Sequence, residues 1–119
     1  VSAKCLHIVT LASLRGLEKV VGRPVHPLRF RANVFLDGLE PWSEFGWEHK
    51  EIGLGPVRLT VFARTQRCEA TNVDPVTGAR DMAVPPPLTR AWGHQDFGIY
   101  AKVVEGGDLK VGDAVAPPA

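Results

Sequence analysis

The chain's 119 residues suit one domain around one core, and a hydrophobic content of 45% is enough to fill it. A formal net charge of +1 excludes a global field that would draw in nucleic acid or an anionic membrane surface. No apolar run is long enough to cross a bilayer as a helix, and 12 Gly with 10 Pro point to short strands and frequent turns rather than a helical bundle.

Leu6 to Leu11 is apolar and β-branched and reads as a strand. Ser13 to Gly22 reads as a short helix, with Ser13 as N-cap, Leu14, Leu17 and Val21 on one face, and Gly22 with Pro24 as the stop. Phe30 to Asp37 alternates as a strand. Phe30, Ala32, Val34 and Leu36 share one face, with Arg29, Arg31, Asn33 and Asp37 on the other. Trp42, Phe45 and Trp47 lie in a connector, where such a cluster is more often packing than a ligand cage.

Val57 to Arg64 is the clearest strand, with Val57, Leu59, Val61 and Ala63 facing one way. Asp74-Pro75 and Thr77-Gly78 mark a turn. Ala79 to Pro87 is irregular, because Pro85-Pro86-Pro87 cannot pair in a sheet, and Leu88 to His94 forms a helical turn or two. Phe97 to Val104 is a strand, and Gly106-Gly107 turns it into Leu109 to Val115 as a hairpin. The sum is four or five strands with two or three short helices. A small barrel or strongly curved sheet is the natural way for such a chain to protect its edges, giving a mainly β fold.

Cys68 lies between a strand and a turn, in Arg64-Thr65-Gln66-Arg67-Cys68-Glu69. Arg64 and Arg67 favour its thiolate and Glu69 opposes it; the thiolate form is at once nucleophile, persulfide carrier and soft metal ligand. A small buried hydrophobe is the competing reading for any free cysteine. The Arg29, Arg31, Asn33 face suits a phosphate or oxyanion, and equally a solvated strand face. Cys5 and His7 on one strand with Cys68 and His94 would make a zinc site, for which nothing else in the sequence speaks. His94-Gln95-Asp96 reads better as a turn than as an acid–base group. A Cys5–Cys68 disulfide is disfavoured, since Val1 to Thr10 lacks a secretory pattern, and two free thiols in a reducing cytoplasm is the simpler reading. No phosphate-loop, dinucleotide or nucleophile-elbow motif is present.

Taken together, five segments resemble the MOSC domain family. Arg29-Phe30-Arg31-Ala32-Asn33-Val34 is similar to its R-F-R-P-N segment, with Ala32 in place of the usual proline. Thr65 to Pro75 with Thr77-Gly78 looks like its R-C-x-x-T-x-V-D-P-x-T-G motif. Phe97-Gly98-Ile99-Tyr100-Ala101 and Val111-Gly112-Asp113-Ala114-Val115 resemble its closing strands, and Ala12-Ser13-Leu14 also fits.

The resemblance implies a barrel-like β domain over residues 1–119, lacking N-terminal strands or an upstream β-domain. It implies a molybdenum cofactor (molybdopterin), with Cys68 as metal ligand or sulfur carrier, and Arg31, Asn33, Arg67 and Ser13 as cofactor contacts. Three functions follow as expectations. One is an oxidoreductase domain reducing N-hydroxylated or N-oxide substrates, fed by a separate iron–sulfur or flavin protein. The second is a carrier taking persulfide from a cysteine desulfurase. There pyridoxal phosphate belongs to the partner, since Lys4, Lys19, Lys50, Lys102 and Lys110 form no recognisable site for it. The third is a cofactor-free structural module. The expected location is cytoplasmic, without nucleic-acid or membrane partners.

Overall fold

Strand β1, Cys5–Thr10, holds the β-branched residues Ile8 and Val9, which are both fully buried on opposite faces of the chain. It ends where Thr10 takes extended backbone angles and its Oγ1 accepts from Ser13 N at 3.2 Å, which makes Thr10 the N-cap of helix α1, Leu11–Val21. The cap thus comes three residues before the expected Ser13, which instead sits buried inside the first turn. Gly22, left-handed at φ 83°, ends α1 as its sequence suggests, and its N–H donates to Glu18 O.

The computed structural model describes residues 5–30, 32–67, 69–73, 75–94 and 96–118; the side chains of Leu28, Glu69 and Ala70 also lie outside the description. The expected strand from Phe30 is largely a turn. Pro27–Phe30 is a 3-10 turn, with Arg29 N donating to His26 O, and β2 comprises only Val34–Leu36. Pro27 at the first position pre-sets a helical φ, and the turn buries Arg29 where a strand would expose it.

A 3-10 turn over Ser43–Trp47 leads into β3, Glu51–Leu54, a strand not anticipated from the sequence. Only four residues long and opening with Glu51, it shows little periodicity of its own and exists by pairing with β4, Val57–Gln66. Along β4, Val57, Leu59 and Val61 are buried as the alternation requires.

The prolines that cannot join a sheet start helix α2, Pro85–Trp92, occupying its first turn where the missing N–H groups have no helical partner in any case. Strand β5 is Asp96–Glu105 and β6 is Val115–Ala116. The expected hairpin between β5 and the C-terminal segment does not form. β5 already pairs with β1 on one side and β4 on the other, so it has no free edge, and β6 pairs with β3 instead.

The sheet order is β2-β1-β5-β4-β3-β6, antiparallel except for β1–β2. It curls into a nearly closed barrel, and residues of both edge strands line one cleft. One core fills the inside, including Ile8, Trp47, Ile52, Leu59, Val61 and Ile99. A second lies between the sheet and the helices, built from residues such as Val9, Leu17, Phe30, Leu88 and Phe97.

A fully buried carboxylate, Glu44, ties the 3-10 turn to the start of α1. Its Oε2 accepts from Ser13 Oγ at 2.7 Å and lies 3.0 Å from Thr10 Oγ1. Glu44→Ala leaves these hydroxyls unmatched in a dry interior and is expected to cost about 1–3 kcal/mol in urea unfolding. Glu44→Gln, which keeps an acceptor oxygen, should lose measurably less.

Candidate functional site

The two expected motifs meet through Arg67. It follows the last residue of β4 and is 7% exposed, so its charge must be met inside the protein. Nε donates to Phe97 O at 2.7 Å and Nη1 to Phe30 O at 3.0 Å, which joins the end of β4 to β5 and to the turn before β2. Nη2 lies 2.6 Å from His7 Nε2. The guanidinium also rests over the Phe30 ring, 4.9 Å from its centroid.

Asn33 is fixed by a reciprocal pair with the same histidine. His7 N donates to Asn33 Oδ1 at 2.9 Å, and Asn33 N donates to His7 O at 2.8 Å. The main-chain bond of the pair lies one step before the parallel β1–β2 pairing Ile8↔Val34. It spends the amide oxygen, and the Nδ2 group of the exposed Asn33 keeps its two donors without an acceptor among the described residues. The His7 ring lies beside Tyr100, with centroids 5.0 Å apart.

Gly98 makes the arrangement possible. Its φ is +91°, and a Cβ there would stand 2.9 Å from Ile8 O, 3.0 Å from Arg67 Nη2 and 3.2 Å from His7 Nε2. The same residue separates Phe97 from Ile99, two positions apart yet in different cores.

Arg31 and Cys68 lie outside the described residues. Their chain neighbours Phe30 and Arg67 are the residues joined at 3.0 Å. The expected Arg29, Arg31, Asn33 face is not one surface, because Arg29 is buried: its Nη2 pairs with Asp81 at 2.7 Å and its Nη1 donates to Thr71 O. Arg23 shares the same carboxylate at 3.2 Å. Arg29 thus fastens the loop after β4, as a buried paired guanidinium, rather than facing solvent.

Ser13, the remaining expected contact, is fully buried. It donates to Glu44 and accepts from Trp42 N at 2.8 Å, so its one proton is already committed. His94 is likewise engaged elsewhere: Nδ1 accepts from Asp96 N and its ring meets the edge of Phe45. Among the described residues no group of three or more His, Cys, Asp or Glu is placed to hold a metal, and Cys5 is an exposed free thiol.

A cleft of about 630 Å³ opens between the β2 edge and the C-terminal segment, and among the described residues Asn33 is the only expected site residue in its lining. Otherwise it is walled by residues such as Val34, Leu36, Leu54 and Val115, and so is a gap in the barrel seam more than a polar site. His7 was not singled out as part of this cluster. It lies 26 positions from Asn33 and 60 from Arg67, and no local pattern signals either contact.

The MOSC domain family model matches residues 2–116. Over 122 residues the chain is 30% identical to mitochondrial amidoxime reducing component 2 of Rattus norvegicus, covering 92% of this chain and 36% of that protein. It is 29% identical to mitochondrial amidoxime-reducing component 1 of Homo sapiens, with 91% and 35% coverage. Over 86 residues it is 34% identical to the molybdenum cofactor sulfurase of Homo sapiens, covering 71% of this chain and 10% of that protein. The chain therefore spans little more than a third of the amidoxime-reducing relatives. The crystal structure of YiiM from Geobacillus stearothermophilus superposes with a TM-score of 0.70 at 18% identity, covering 96% of this chain and 54% of that one; it shares the fold.

Gly98→Ala forces an L side chain into left-handed backbone against Ile8 O and the Arg67–His7 pair. It is expected to destabilise the fold by at least about 1–3 kcal/mol, read as a lower urea midpoint. Ala at Gly78, also at positive φ but with open space around it, should cost less.

Proposed function

Since the chain belongs to the MOSC domain family, we propose that it is a molybdenum-cofactor-binding domain whose metal ligand is Cys68, with Arg31, Asn33 and Arg67 serving the pterin and its phosphate. The observation that carries this reading is the hydrogen bond from Arg67 to Phe30 O, which couples the cysteine motif to the R-F-R-x-N segment. The donor set fits the group. A phosphate dianion calls for guanidinium and amide N–H donors, and a soft metal centre calls for a thiolate. Asn33 is exposed, with two such N–H groups that have no acceptor among the described residues. Arg67 is engaged by protein acceptors, so its contribution is position and charge: it braces both motifs, and its cation one residue from Cys68 favours the thiolate.

When bound, the cofactor supplies two-electron redox chemistry. The resemblance to amidoxime-reducing components supports reduction of N-hydroxylated substrates as the activity, with an iron–sulfur or flavin protein as electron donor. A second reading, a carrier that receives persulfide on Cys68 from a pyridoxal-phosphate-dependent desulfurase, is favoured by the 34% identity to the sulfurase. No described helix is long and apolar enough to cross a membrane.

The test is metal and pterin content of the chain produced in cofactor-making cells. We expect molybdenum and pterin in the wild type, and a loss of molybdenum of about tenfold or more in Cys68→Ala. Arg31→Ala should lower pterin content with the fold intact by circular dichroism. Persulfide on Cys68 with no molybdenum in any sample selects the carrier reading; neither persulfide nor molybdenum removes both.

A further inference from the structure

We infer that His7 is a positioning residue of the site, an imidazole held in its neutral Nδ1–H form so that Nε2 accepts from Arg67 and sets Arg67 and Asn33 as one unit. The argument starts from proton inventory. A guanidinium has donors only, so a contact of 2.6 Å between Arg67 Nη2 and His7 Nε2 is a hydrogen bond only if Nε2 offers its lone pair. A proton on Nε2 would set two donors against each other at that distance, and in the imidazolium two cations as well.

The backbone of the same residue supplies the second half. His7 N and O are both taken by Asn33, which aligns the Asn33 amide. One residue therefore holds Asn33 by its main chain and Arg67 by its ring, across 26 and 60 positions of sequence. Three further features support this as a built arrangement. The guanidinium is also held from two other directions, by the carbonyls of Phe97 and Phe30. Gly98 leaves out the one atom that would press on both partners, its absent Cβ falling 3.0 Å from Nη2 and 3.2 Å from Nε2. Tyr100 beside the ring limits its rotation.

The consequence for function rests on the cofactor reading above; the tautomer and the Arg67 contact do not. Two measurements separate them. On the 15N-labelled chain, long-range 15N–1H correlation is expected to show His7 with protonated Nδ1 and bare Nε2. The Arg67 Nη–H signals should be resolved in the wild type and in His7→Gln, whose amide oxygen can replace the acceptor. In His7→Phe they should broaden, with guanidinium rotation faster by about tenfold or more. A proton on Nε2, or unchanged Arg67 signals in His7→Phe, overturns the inference, and the first is read on the wild type even if that variant does not fold.

The second measurement is pterin and molybdenum content after production in cofactor-making cells. His7→Phe is expected to retain about tenfold less than wild type, with His7→Gln recovering most of the loss. Equal retention in all three overturns the positioning role. If the tautomer is as stated but the wild type itself holds no pterin, the cofactor reading fails while the His7–Arg67 lock stands.

Discussion

A cation taken out of water has to be answered on every side, and Arg67 is the place where this constraint organises the molecule. Its guanidinium is buried beyond the end of the longest barrel strands and has as acceptors a β5 carbonyl, the carbonyl of Phe30 and an imidazole. Each acceptor comes from a different part of the chain. Burying the charge without all of them would be costly, so the position of the turn before β2, the entry into β5 and the ring of His7 are linked energetically. The R-F-R-x-N and cysteine motifs, far apart in sequence, become neighbours through that demand.

Arg29 makes a second clamp of the same kind a few residues away. It pairs with Asp81, which also receives Arg23, and it reaches Thr71 O. Between them the two buried arginines pin both ends of the stretch from 67 to 81 against the turn Pro27–Phe30. A segment with little regular structure is thus held by charge-assisted hydrogen bonds rather than by a ladder. Glu44 does the corresponding work on the far side, where a buried carboxylate meets the hydroxyls at the start of α1.

The barrel itself is ordinary β physics with one opening. β1 is buried on both faces because one side looks into the barrel and the other onto α1 and α2. β5 is flanked on both edges, which sends the C-terminal segment to β3 and leaves β2 and β6 as the two open edges. The cleft between them is the seam where closure stops, and Asn33 stands on its rim.

Local pattern determined much of this: β4 was legible because its apolar residues recur at a period of two, β1 because it is apolar and β-branched, β5 because it is a largely apolar run, and Gly22 marked the end of α1 because its left-handed φ suits glycine. The two motifs, read in order, also named the family before any fold was seen. What the sequence could not decide is every feature whose partner is remote. Phe30 looked like strand because its alternation is real, yet the turn won by burying Arg29 against Asp81. Thr10 rather than Ser13 is the cap, and both hydroxyls turn to Glu44, more than 30 positions on. β3 and β6 are too short to declare themselves and exist only as partners of other strands. His7, which the sequence offered only as a candidate zinc ligand, meets Asn33 and Arg67 only because the fold carries them to it. Local pattern is written in neighbouring residues; a hydrogen-bond partner for a buried charge is chosen by the tertiary structure.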